Sequence, residues 1–321
     1  MPASLPPIDR SQLGPNEGMI LVTGVCGRLG KRLVRVLHRT HSVVGVDRRP
    51  FPERPKDIVH EQLDMRRKKL KDVFRTYPIR AVIHLGVMHD PRASASEHHS
   101  WNVAGFQKLL EYVAHFRVPK LIVLSSANVY GPSPNNPQFL TEDAPLLGGA
   151  NFSEIRDLIE VDMLAQGFFW KRPETETVVL RPVHILGSVR NAPSNFLRLG
   201  TVPTLLGYDP LIQVLHEADL VEAVRRSLDP GIRGVFNVAG PAAAPLSTIV
   251  RILGRRTLPL PFTPMKMFLN RLWRLRLSTF PAPELDHIRY VCMVDDTPFR
   301  SATGYTNTFG LDDTICAVDK H

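Results

Sequence analysis

The sequence predicts an α/β fold built on a doubly wound parallel sheet, and three features point to it. Short β-rich runs alternate with longer amphipathic segments from residue 18 to about residue 188. Each run is apolar almost throughout, which is the pattern of strands covered on both faces. The first run passes directly into a glycine-punctuated turn and then a helix, as the opening of a phosphate-binding βαβ unit requires.

"GMILVTG" (18–24) reads as a buried strand, and "RLGKRLVRVLHRT" (28–40) as a helix with apolar residues at helical spacing. "HSVVGVD" is the second strand; "LKDVFRTY" is a short helix leading into the strand "IRAVIHLG". A helix around "NVAGFQKLLEYVAHF", the strand "PKLIVLSS", a helix over about 152–170 and the strand "ETVVLRPV" follow. Past residue 188 the rhythm breaks into Pro/Gly-punctuated pieces such as "GTVPTLLGYDP" and "RTLPLPFTPMK". The expected organisation is therefore a loose tail over 1–17, a cofactor domain over 18–188, and a smaller, mainly substrate-binding region over 189–321 interleaved with it.

Composition excludes several classes. Of 321 residues, 43% are hydrophobic and 22% charged, an ordinary globular balance. The Pro-rich start "MPASLPPIDRSQLGPNEG" lacks the apolar stretch of a signal peptide. Three cysteines (Cys26, Cys292, Cys316) offer no disulfide framework, so a reducing, cytoplasmic location is expected. The net charge of +9 is concentrated between Asp229 and Glu284, where eight Lys or Arg residues stand with no acid, "RLWRLRLS" (271–278) among them. A basic helix face solvated over an apolar underside accounts for the 251–276 segment, with one or two arginines free for a phosphate. No nucleic-acid module accompanies the charge, and no membrane-surface contact is expected.

"TGVCGRLG" (23–30) carries the cofactor reading. Gly24 permits the tight turn, Gly27 lets backbone approach a pyrophosphate, and Gly30 lets the helix pack against the strand, with Arg28 and Leu29 between them. The helix start offers unpaired N–H groups and the positive end of its dipole to the phosphates. Asp47 closes the second strand at the offset expected for a carboxylate on a ribose 2′-hydroxyl, which favours NAD over NADP. Arg48 and Arg49 follow at once and leave NADP as the lesser option.

These residues, with "LDM" (63–65), "VIHLG" (82–86), "SSANVYG" (125–131), "LRPVHILG" (180–187), "LHEADLVEAV" (215–224) and "VDDTPFRSATGY" (294–305), resemble the extended short-chain dehydrogenase/reductase superfamily. The nearest likeness is its NAD-dependent epimerase/dehydratase branch, which includes nucleotide-sugar 4-epimerases. It covers nearly the whole chain from residue 18 and implies a Rossmann-type sheet domain with a smaller C-terminal substrate-binding region. It also implies that Asp64 and Met65 flank the adenine and that Gly86 and Val87 line the cofactor. Asn102 would hold the helix behind the site, Ser126 would be the catalytic serine, and Arg181 and Pro182 would lead into the substrate pocket. A homodimer is compatible with the family.

One departure stands out. In that family a tyrosine about 25 residues beyond the serine is the general acid/base, and a lysine four residues later holds the nicotinamide ribose. Here those places fall on Phe152 and Arg156, with Glu160 in register where the family often has glutamate. None of the six tyrosines has a lysine four residues on. Phenylalanine cannot carry the proton that hydride exchange at an alcohol carbon requires. Arginine can hold a ribose but is bulkier and aimed differently from lysine.

His184 is the candidate substitute acid/base, against a plainer role as a neutral imidazole that only hydrogen-bonds. His89, His98 and His99, with Asp90 and Glu97 beside them, read as exposed loop histidines, and no metal site is expected.

Two functions remain open on the sequence. One is an enzyme of the epimerase/dehydratase kind, acting on a nucleotide-linked sugar or similar alcohol with an altered or lost acid/base. The other is a catalytically silent NAD-binding protein that acts through a partner. A lipid- or steroid-like alcohol dehydrogenase is a weaker third, suggested by the apolar, basic 265–280 stretch.

Overall fold

The computed structural model describes residues 17–87, 94–150, 153–189, 192–275 and 282–319. The tail over 1–16, His89, Asp90, Phe152 and residues 276–281 lie outside them.

In chain order the elements of the first part are β1 (Met19–Thr23), α1 (Arg28–Leu37), β2 (Val43–Asp47), β3 (Val59–Gln62), α2 (Lys69–Thr76) and β4 (Ile79–His84). There follow α3 (Ala95–His99), a π-helical turn (Ser100–Ala104), α4 (Gly105–His115), β5 (Lys120–Leu124), α5 (Ser153–Lys171) and β6 (Glu176–Pro182). The remainder comprises β7 (His184–Leu186), α6 (Ala192–Leu197), β8 (Thr201–Leu205), β9 (Leu211–His216), α7 (Glu217–Arg226) and β10 (Gly234–Val238). It ends with β11 (Ala243–Pro245), α8 (Leu246–Ile252), β12 (Arg256–Leu260), α9 (Phe262–Arg274), a 3₁₀ helix (Ala282–Ile288), α10 (Thr297–Thr303) and α11 (Leu311–Cys316).

Seven strands form one parallel sheet in the order β10-β6-β5-β4-β1-β2-β3. The order reverses between β1 and β4, and in open α/β sheets the crevice at such a reversal is where ligands bind. The sheet has an apolar cluster on each face. One gathers Ile20, Val22, Leu33, Ile122 and Leu180, the other Leu21, Val44, Phe74, Val82 and Val179. Alternate residues of one strand thus serve opposite faces, which is why these strands read as continuous apolar runs.

Two local differences from the sequence reading have physical causes. Strand β3, "VHEQ", is an edge strand with no buried residue, so it gives no apolar pattern to recognise. The single helix expected around residues 102–116 begins earlier, at Ala95, and is interrupted by the π-helical turn over Ser100–Ala104.

Beyond residue 188 the chain does not stay apart. β10 returns to the edge of the large sheet beside β6. β7, β9 and β11 form a three-stranded sheet, and β8 pairs with β12. A third apolar cluster lies among these elements, with Leu186, Val214, Ile249, Leu285 and Ile288 in it.

Candidate active site

The cofactor turn is built as its glycines require. Gly24 takes φ +73°, and a Cβ there would stand 2.9 Å from the backbone of Leu85 and Gly86. A Cβ on Gly30 would meet the Gly24 carbonyl at 2.5 Å, so α1 can approach β1 only with glycine at that place. Lys31 donates to the Gly27 carbonyl at 2.8 Å. The amides of Arg28, Leu29 and Gly30 before it have no helical carbonyl to meet and face out of the helix end. Arg28 is tied instead through its guanidinium to the Ser188 carbonyl, which links this turn to the segment after β7.

Asp47 is buried at the end of β2 and both of its oxygens are engaged. One accepts from the Arg49 amide and Nε, each at 3.0 Å; the other accepts from the Cys26 amide and Arg49 Nη2, also at 3.0 Å. Burial works to raise the Asp47 pKa, but the hydrogen bonds from Arg49 and Cys26 outweigh it and hold the carboxyl below its ordinary value. Burial, reinforced by the Asp47 charge, pushes the Cys26 thiol up to about 11, so it is a small neutral filler. A ribose hydroxyl on Asp47 therefore shares the carboxylate with Arg49, a partner the sequence does not reveal.

Asp64 is held in the same way by Arg66, whose Nη2 donates at 2.6 Å. Met65 is buried, with its sulfur 3.5 Å from where a Cβ on Gly86 would be, and Val87 packs partly buried on the apolar core beyond. Trp101, which sequence reasoning passed over, completes this wall. Its Nε1 donates to the Gly86 carbonyl at 2.9 Å, and the guanidinium groups of Arg48 and Arg66 lie 5.0 and 5.1 Å from its ring. Asn102, next to it, is buried in the π-helical turn. An indole between two arginines, beside two carboxylates and a row of open helix-end amides, is a donor set that fits a dinucleotide.

Ser126 leaves β5 in an extended conformation, half-buried, and its Oγ accepts from the Asn128 amide at 3.2 Å. Ser125, just before it, donates to Asp162 of α5 at 2.6 Å. Asp162 in turn receives Arg181 Nε at 2.9 Å and Nη2 at 2.7 Å, and Arg181 also donates to the Tyr130 hydroxyl at 2.7 Å. The Tyr130 hydroxyl then donates to Asn237 at 2.8 Å. Arg181 is thus a buried clamp between β6, α5 and the serine loop. Every direction of its guanidinium is spent inside the fold, at the start of the segment that leads on to His184.

Arg156 stands on the exposed stripe of α5, where with Ile159, Glu160 and Met163 it lines an outward groove. Its Cγ lies 2.7 Å from where a Cβ on Gly149 would stand. His99 meets this helix too, at 3.0 Å from Asp157 and 3.9 Å from Glu160. The three groups each bring one ligand atom within 4.8 Å of the others, on an exposed edge. His98 is buried.

His184 lies with its ring 5.4 Å from that of His287, edge to face. Its edge reaches a cleft, yet the surrounding protein desolvates it, and burial pushes it down to about 4. Burial and the nearby His184 push His287 to about 3. Both are neutral imidazoles near pH 7 in the absence of a ligand. His216 is a structural histidine: it caps α7 by accepting from the Ala218 amide and stacks 3.7 Å from Phe309.

The profile of the NAD dependent epimerase/dehydratase family matches residues 20–239, and the chain belongs to that family. It is an extended short-chain dehydrogenase/reductase with a Rossmann-type fold, in a family described as NAD dependent. Among curated proteins it is 27% identical to the uncharacterized protein Rv0501 of Mycobacterium tuberculosis over 301 residues, which span 89% of this chain and 79% of that one. It is also 27% identical to a UDP-glucose 4-epimerase of Dictyostelium discoideum over 62% of this chain and 64% of that one. In fold it is similar to the UDP-glucose 4-epimerase of Thermotoga maritima, with a TM-score of 0.73 at 16% identity over 94% and 97% of the two chains. Among the described residues, no helix is long and apolar enough to cross a membrane.

Proposed function

We propose that this chain binds NAD(H) at the β1–β4 crevice and acts on a hydroxyl-bearing substrate, or its carbonyl counterpart, without the usual tyrosine–lysine pair. The observation that carries the reading is the glycine turn. Gly24 is held at φ +73° against the Gly86 backbone, just ahead of the open amides of α1, and the Cys26 amide of the same turn donates to Asp47. Bound there, NAD supplies hydride exchange at a carbon bearing oxygen.

The chain's own residues divide the rest of the work. The amides of Arg28, Leu29 and Gly30 receive the pyrophosphate, Asp47 receives a ribose hydroxyl, and Trp101 with Met65 walls the adenine side. Ser126, steadied by Asn128, is left to hydrogen-bond the substrate oxygen. Phe152 and Arg156 stand for the missing tyrosine and lysine, so proton movement falls to water or to a neighbouring imidazole. Residues after 188 wall the substrate side. The relatives named as epimerases take UDP-sugars, which are alcohols of this general kind.

A second reading, an NAD-binding protein without turnover, rests on the absence of any tyrosine–lysine pair at the family spacing. Mass spectrometry of the small molecules released on denaturing purified protein, with calorimetric titration of NAD and NADP, tests the cofactor part. Calorimetry showing no NAD binding would sink both readings.

A further inference from the structure

Helix α9 is apolar on two sides, and only one of them is covered. On the inner side Met265 is buried in the third apolar cluster, and Leu269 packs against that cluster. On the outer side Met267 and Phe268 are 69% and 63% exposed. Leu275, whose amide continues the helix by donating to the Arg271 carbonyl at 3.1 Å, is 59% exposed. At 3.6 residues per turn these three and the exposed Arg271 fall on one stripe about 100° wide. A solvated basic face over an apolar underside therefore describes only the inner half of this helix. The expectation of no membrane-surface contact rests on such apolar side chains being covered, and here three are not.

The stripe sits in the most basic part of the chain. From Arg255 to Arg276 there are six Lys or Arg residues and no acid. Lys266 and Arg271 are exposed on α9, and Arg256 is exposed on β12, the strand that leads into it. Among the described residues the ion pair made by this stretch is Arg255 with Asp319, which leaves Arg256, Lys266 and Arg271 without a carboxylate.

Charge and shape together select the occupant. A second copy of this chain would bring these cations against their own kind, and its net charge of +9 adds to the repulsion. The outward side of a single surface helix is a ridge, so a folded acidic partner would need a hollow matched to it. An anionic bilayer needs no such match. Met and Phe enter the boundary between headgroups and acyl chains, while the long stems of Lys and Arg lie along it with their charges at the lipid phosphates. With 13 residues α9 is too short to span a bilayer, which takes ~20, but long enough to lie in its surface.

We infer that α9 seats this protein on an anionic lipid surface, with Met267, Phe268 and Leu275 inserted and Lys266 and Arg271 on the headgroups. The inference is independent of what the cofactor crevice binds.

The test is co-sedimentation of the full chain, saturated with NAD, with vesicles of phosphatidylcholine alone and with vesicles containing phosphatidylglycerol, at low and high salt. Partitioning onto the anionic vesicles should exceed that onto the neutral ones by about tenfold or more, and should fall severalfold at high salt. Met267→Ser with Phe268→Ser should lose about tenfold of that binding, because the inserted hydrocarbon is gone. Its melting temperature should match wild type, since both side chains already face water. Arg271→Gln alone should lose about fivefold. Should the double variant melt early, Leu275→Ser carries the same test, with a severalfold loss expected. Binding to neither vesicle, or equal binding to both, would overturn the inference. So would serine variants that bind as well as wild type, because a diffuse attraction of a basic protein to any anionic surface would then explain the result.

Discussion

Asp162 and Arg181 form a two-pronged ion pair, at 2.9 and 2.7 Å, in which neither side chain reaches solvent. The pair also binds Ser125 and Tyr130, so it fixes the loop that carries Ser126. Removing one member of a buried pair leaves the other charge stranded and typically costs about 3–5 kcal/mol. Asp162→Ala should therefore lower the urea midpoint sharply, and Asp162→Leu with Arg181→Met should recover much of the loss. A single variant as stable as wild type would show that water reaches the pair.

Asp47 and Arg49 are expected to set the cofactor preference. Wild type should bind NAD more tightly than NADP, because the Asp47 carboxylate repels a 2′-phosphate. Asp47→Ala removes that charge and releases the Arg49 guanidinium from its two side-chain hydrogen bonds with Asp47, leaving it to meet the phosphate. The affinity ratio should shift toward NADP by at least about tenfold, or 1.4 kcal/mol. An unchanged ratio in calorimetry would assign the preference to another group.

Much of this was legible because it is local in sequence. The strand, the turn and Asp47 lie within thirty residues, and each is announced by apolar runs, glycines or a strand-end carboxylate. The partners were not legible. Arg49 gives no sign of folding back on Asp47, and nothing in "RPVH" shows that Arg181 will be swallowed by Asp162 while His184 meets His287 from the distant 3₁₀ helix. Such pairings are fixed by which elements pack together, and a charged residue reads the same in sequence whether it faces a ligand or the core. Trp101 escaped for the converse reason, since a tryptophan before a helix looks like ordinary core.

Three desolvated histidines make stability depend on acid. His84, which hydrogen-bonds Thr23 and is pushed to about 3 by burial, joins His184 at about 4 and His287 at about 3. Their folded values lie below the ordinary value near 6.5, so below that pH the unfolded chain binds more protons than the folded one. Their contribution is complete above about pH 6.5 and is lost as pH falls toward 4 and 3. The loss can reach on the order of 4 kcal/mol per pH unit if all three act independently. Melting temperatures at pH 8, 6, 5 and 4 measure it, and His184→Gln should flatten the descent. A melting temperature that rises on acidification from pH 6.5 to 5 would contradict the burial of these rings.

Gly24 leaves little room for substitution. At φ +73° with backbone 2.9 Å away, Gly24→Ala meets both an unfavourable conformation and a clash. The variant should lose NAD affinity by tenfold or more, and its melting temperature should fall as well. Gly254, also at positive φ but with nothing near its missing Cβ, is the control: Gly254→Ala should lower stability modestly and leave NAD affinity alone. Equal loss of NAD affinity in the two variants would remove the cofactor from this turn.

The last expectation concerns positions 152 and 156. Arg156 is exposed on α5, one residue before Asp157 and four before Glu160, and its stem is wedged against Gly149. An arginine offers no mobile proton, and phenylalanine at 152 has none to give. Wild type should bind NAD yet turn over secondary alcohols and UDP-sugars slowly. Phe152→Tyr with Arg156→Lys restores the two groups with little change of volume, and recovering one general acid/base is typically worth ~10²–10⁴ in rate. Single-turnover reduction of bound NAD, followed at 340 nm across both substrate classes, reads the gain. Arg156→Lys alone should give little, since the proton carrier is still missing. If the double variant binds NAD normally and gains nothing, residues 152 and 156 are not the lost pair. Fast wild-type turnover that collapses in His184→Ala would instead make that imidazole the proton carrier, working from a pKa that bound substrate has raised.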